Sequence, residues 1–67
     1  MFVRGNYTVI DSDKGMVIDK FAEELLNYAA FHNEKVMGVF NGVYFEVRKG
    51  MTVKSVVAEW SKERENR

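Results

Sequence analysis

The sequence has no cysteine and no proline, and only one histidine. Without thiols there is no disulfide framework, no thiolate metal site and no cysteine nucleophile, three common routes by which a short chain gains stability or chemistry. A cytoplasmic location is the corresponding expectation. No apolar run approaches the roughly 18 residues that cross a bilayer, and no basic segment followed by an apolar stretch marks a signal peptide, so no membrane partner is expected. Charge of one sign is lacking as well. Ten Lys and Arg balance ten Asp and Glu, which argues against strong nonspecific attraction to nucleic acid or an anionic surface. None of the five glycines opens a phosphate loop, because none stands before Lys-Ser or Lys-Thr in that motif's spacing, so no nucleotide cofactor is expected.

What is present is one small domain, residues 1–67. At 46% hydrophobic the composition is too apolar for a disordered tail, and 67 residues leave no room for a second folded unit. The charge is unevenly spread: residues 1–34 carry a net −3 and residues 35–67 a net +3. An acidic helix facing a basic hairpin within one fold accounts for this mild dipole.

Four patterned segments follow one another. Phe2 to Ile10 alternates Val3, Gly5, Tyr7 and Val9 with Arg4, Asn6 and Thr8 and reads as one strand, ended by the turn-forming run Asp11 to Gly15. From Val17 to His32, Ile18, Phe21, Ala22, Leu25, Tyr28, Ala29 and His32 fall on one side at 100° per residue, with Lys20, Glu23, Glu24 and Asn27 opposite. The helix start has two readings, a cap at Ser12 or Asp13 near Gly15, slightly favoured, or a cap at Asp19 after a short strand at residues 16–18. Asn33 is the expected left-handed stop. Asn41-Gly42 between two alternating runs predicts a two-residue type I′ hairpin, since both central positions need positive φ. The register then places Val36, Gly38, Phe40, Val43, Phe45 and Val47 on one face and Lys35, Met37, Val39, Tyr44, Glu46 and Arg48 on the other. Finally Thr52 caps a helix through the amide of Ser55, Met51 and Val56 staple its entrance, and Val53, Val56, Val57 and Trp60 form its apolar stripe. Past Trp60 all residues are polar and the end is expected to fray.

The order β-α-β-β-α predicts an α+β fold, a three-stranded sheet with two helices packed on one face. The other face stays open, carrying Met37, Val39 and Tyr44, with Phe2 and Ile10 as possible additions from the first strand. A chain of this length buries only about 60% of its unfolded surface, so a partner or a second copy would add stability.

Sites of chemistry are sparse. Asp11, Asp13 and Gly15 begin like a calcium loop, but Gly15 and Ala22 stand where a third ligand and the bidentate Glu belong, so no metal is expected. His32 has no nucleophile elbow near it in sequence, and a helix-end histidine suits the dipole. Glu23 with Glu24 and Glu59 with Glu63 fall on solvent-facing helix surfaces, not in a cleft that would separate their pKa values. Arg64 is spaced to lie over Trp60. No catalytic residue is assigned and no enzyme is expected.

The run Phe21-Ala-Glu-Glu-Leu-Leu, Val39-Phe40-Asn41-Gly42-Val43-Tyr44-Phe45-Glu46-Val47-Arg48, Gly50-Met51-Thr52-Val53 and Ala58-Glu59-Trp60 resembles short accessory proteins of bacteriophages and prophages. These pair a helix and a Phe-Asn-Gly hairpin with a Thr-capped closing helix. The resemblance implies a bacterial cytoplasm and a factor that binds or inhibits a host protein, and it transfers no site residue. The expected function is a non-catalytic protein-interaction module, with Met37, Val39, Tyr44 and Arg48 as contacts to a protein partner or a second copy. The alternative is a nucleic-acid-binding regulator using the basic rim Arg4, Lys35, Lys49 and Lys54.

Overall fold

The structure, a computed structural model, describes residues 2–4 and 7–65, with backbone alone for residues 2–4 and 7. Its elements are β1 (Phe2–Arg4), β2 (Tyr7–Asp11), α1 (Ile18–His32), β3 (Val36–Phe40), β4 (Val43–Val47) and α2 (Val53–Glu65). The fold is α+β, with two helices on one side of the sheet. The segment expected as a single strand is instead two antiparallel strands, Phe2 opposite Val9 and Arg4 opposite Tyr7, so the sheet has four strands in the order β1-β2-β3-β4. Gly5 and Asn6, which the alternation placed inside one strand, lie outside the described residues.

β2 pairs with β3 in parallel, Thr8 beside Val36 through Asp11 beside Val39, and the amide of Ser12 extends the ladder to the carbonyl of Val39 at 3.1 Å. A parallel pair cannot be joined by a tight turn, so α1 forms the crossover between them. β3 and β4 pair as the hairpin register requires, Val36 with Val47 through Phe40 with Val43. The turn has φ of +52° at Asn41 and +76° at Gly42, as a type I′ turn demands.

Helix α1 starts later than the favoured reading placed it, and neither proposed side chain caps it. Val17 is the N-cap residue, extended and without a side-chain cap bond. The residues before it are used otherwise: the amide of Met16 bonds the carbonyl of Asp13, with Gly15 at φ +82° in the third turn position, where positive φ favours glycine. Residues 16–18 form no strand. At the other end Asn33 is left-handed, and the amide of Glu34 reaches back to the carbonyl of Ala29, a Schellman closure. His32, read as the last member of the apolar stripe, is exposed because the chain leaves the sheet there, and its ring stacks on Tyr28 at 4.1 Å.

Helix α2 begins as expected. The amide of Ser55 donates to Thr52 Oγ1 at 3.1 Å, and the amide of Thr52 donates back to Ser55 Oγ at 2.9 Å, so serine takes the place of the usual Glu or Gln in a reciprocal capping pair. The helix extends past Trp60 to Glu65, and the Arg64 guanidinium lies over the indole at 4.8 Å.

The core joins Phe21, Ala22, Leu25 and Ala29 of α1, Val56 of α2, and Val36, Phe40, Phe45 and Val47 of the hairpin. Phe21 stacks on Phe40 and meets Phe45 edge-on. Trp60 meets Phe40 edge-on and donates its indole N–H to the Phe40 carbonyl at 3.2 Å, which ties α2 to the end of β3. Gly38 lies beneath Leu25 and Phe45: a β-carbon there would stand 2.6 Å from Leu25 Cδ1 and 2.9 Å from Phe45 Cζ. Both side chains are buried, so neither has room to withdraw.

Gly38→Ala is therefore expected to cost about 1–3 kcal/mol through overpacking, and a domain of this size loses about 4–8 °C of Tm per kcal/mol. Thermal unfolding followed by circular dichroism measures it, and an unchanged Tm would mean that α1 is not pressed against β3. By the same measurement Thr52→Ala is expected to cost about 0.5–2 kcal/mol, the usual value of an N-cap.

Candidate interaction surface

Strand pairing sorts side chains onto two faces, because residues aligned in register point to the same side and neighbours along a strand alternate. Ile10, beside Gly38, packs against the core with the helices, so its expected place on the open face is corrected. A parity of two puts Val9, not Ile10, on the open side. Phe2 is the register partner of Val9, and its side chain lies outside the described residues.

The open face has three rows across β2, β3 and β4. Asp11, Val39 and Tyr44 form the first and Val9, Met37 and Glu46 the second; Lys35 and Arg48 continue the register one step beyond Val36 and Val47. Met37, Val39, Tyr44 and Arg48 are thus brought to one face, away from both helices. They are not equally available. Val39 is only 9% exposed and Val9 0%, Met37 is half-buried, and Tyr44 is 41% exposed. The patch is smaller than a bare three-stranded face would offer, with Tyr44 its main exposed ring. Arg48 is exposed and pairs with Glu46 at 3.5 Å across one strand step, a surface contact worth little. Tyr44 also lines a shallow depression of about 220 Å³ with Gly42, Val43 and Glu63. Glu63 is remote in sequence and reaches this point only because α2 runs along β4.

The cations of the basic rim do not converge. Lys35 is exposed at the start of β3, whereas Lys49 Nζ donates to Asn33 Oδ1 at 3.3 Å and ties the β4–α2 turn to the end of α1. Lys54 belongs to the first turn of α2, in the helical layer. The side chain of Arg4 lies outside the described residues.

A second exposed apolar group stands on the outer side of α1. Phe31 is 85% exposed, with its ring edge-on to His32, and Val17 is exposed near the other end of the helix. At 100° per residue Phe31 falls beside Glu24 and Asn27, on the polar side of the helix. The stack of His32 on Tyr28 was legible only as an i, i+4 spacing.

Among the described residues no group of three or more His, Cys, Asp or Glu is placed to hold a metal ion, and no helix is long and apolar enough to cross a membrane. No protein-family model, no curated protein and no solved structure matches the chain.

Proposed function

We propose that this chain is a non-catalytic protein-interaction module that binds through the sheet face turned away from its helices. The observation that carries the reading is Tyr44, an aromatic ring 41% exposed in a sheet whose other face is packed by both helices. The same face carries the half-buried Met37 and, two rows from Tyr44, the exposed Arg48, and tyrosine, methionine and arginine are enriched where proteins meet. Val39 supports the patch from beneath and adds little area. A role as a short phage-type accessory factor acting on a host protein, in a bacterial cytoplasm, rests on the resemblance noted in the hairpin and closing helix. The nucleic-acid alternative draws less support, because Lys49 and Lys54 stand away from the sheet face and one tyrosine is a small platform for stacking bases.

Photo-crosslinking from the position of Tyr44, with p-benzoylphenylalanine in its place, is expected to trap a protein. The same group at Phe31, on the opposite side of the domain, is the control. Trapping from position 31 alone, or from neither position, would remove the sheet face as the binding surface.

A further inference from the structure

The pair that makes the hairpin turn is also the only asparagine followed by glycine in the sequence. A glycine in second place leaves its amide nitrogen unshielded by a side chain, and that nitrogen can attack the asparagine carboxamide carbon to close a five-membered succinimide ring. Asn41 and Gly42 are both exposed, and among the described residues neither the Asn41 carboxamide nor the Gly42 amide is held by a hydrogen bond. Asn33, the other left-handed asparagine, is locked. Its Oδ1 accepts from Lys49 at 3.3 Å, and the amide that follows it, that of Glu34, bonds the carbonyl of Ala29 at 3.2 Å.

Ring closure demands a particular backbone torsion, which most folded segments cannot reach. The ring eclipses Cβ and the next nitrogen about the Cα–C bond, which for an L-residue means ψ of about −120°, the value at the first central position of a type II′ turn. That position also requires positive φ, and Asn41 already has +52°. Rotating the single peptide plane between Asn41 and Gly42 therefore takes the turn from type I′ to type II′, while Gly42 moves to negative φ, which glycine tolerates. Both types are two-residue hairpin turns, so Phe40 and Val43 keep their pairing throughout.

We propose that Asn41 is a site of spontaneous deamidation, and that the folded hairpin reaches the reactive geometry by this flip rather than by opening. The Gly42 nitrogen gives its proton to a solvent base and bonds to Asn41 Cγ; the bond from Cγ to the carboxamide nitrogen breaks, and ammonia leaves. Water then opens the succinimide. Attack at Cγ leaves aspartate at position 41, and attack at the main-chain carbonyl leaves isoaspartate, whose backbone runs through the former side chain. The two products differ in what they do to the fold. Asp-Gly suits the same turn, whereas isoaspartate adds a methylene to the backbone between Phe40 and Val43, so the two-residue turn no longer closes. The Phe40 carbonyl takes the Trp60 indole N–H, so the isoaspartate form loosens the docking of α2 as well. Either product brings a carboxylate to the turn, next to the depression that Gly42 lines with Tyr44 and Glu63.

Intact protein held at mildly alkaline pH and then digested with trypsin tests it, because cleavage after Lys35 and Arg48 releases residues 36–48 as one peptide. Mass spectrometry follows the exchange of ammonia for water, and enzymatic methylation counts isoaspartate. Conversion is expected at position 41 before any other asparagine. Its rate is expected within about tenfold of that in the same chain unfolded in urea, since a reaction that waited for the hairpin to open would be slowed by the opening equilibrium. Asn41→Gly keeps a hairpin pair, Gly-Gly, and is expected to abolish the conversion with the circular dichroism unchanged. Folded protein that reacts more than about tenfold more slowly than the unfolded chain, or first at another asparagine, overturns the proposal.

Discussion

The approach of Leu25 to the bare backbone of Gly38 sets the spacing between the helical layer and the sheet. With no β-carbon in the way, Leu25 and the ring of Phe45 share the space above β3, and Phe21 enters beside them to meet Phe40 and Phe45. Had any larger residue stood at position 38, α1 would ride higher and the aromatic contacts would open. The rest of the helical layer is keyed to this contact, since Val56 and Trp60 of α2 dock on the same group of side chains and the indole bonds the carbonyl of Phe40.

A sheet covered on one side divides its residues by parity, and that division organises the possible function. The covered face takes the large apolar residues of the hairpin; the other keeps Tyr44, Met37 and a charged frame. With β1 beside β2 the sheet is four strands wide, and its open side shelters Val9 fully and Val39 nearly so. The available surface is thereby concentrated around one ring rather than spread across a continuous apolar field. Small patches of this kind suit weak, specific contacts better than permanent ones.

Local chemistry was legible wherever one or two residues were sufficient to dictate a conformation. Asn41-Gly42 specified the hairpin and through it the register of ten residues; Asn33 specified the end of α1; Thr52 specified the start of α2. Two segments misled. Phe2 to Ile10 alternates without a break, which masks the one marker of a change of direction between β1 and β2, the pair Gly5-Asn6, itself a two-residue hairpin signal. Ser12 and Asp13 have the right side chains for a cap, yet the chain turns at Asp13 to Met16 before the helix forms, and Val17 begins it.

Backbone preferences and hydrophobic period act between near neighbours, so the chain's own order of residues settled its turns, helix ends, hairpin pairing and α+β class. Long-range matters were decided only when the elements packed: that β2 lies parallel to β3, that Val9 rather than Ile10 belongs to the open side, that Lys49 ties to Asn33 and that Glu63 reaches Tyr44's neighbourhood. These depend on which surfaces exclude water together across many intervening residues, and no local pattern encodes the choice of which strand edge receives a returning chain.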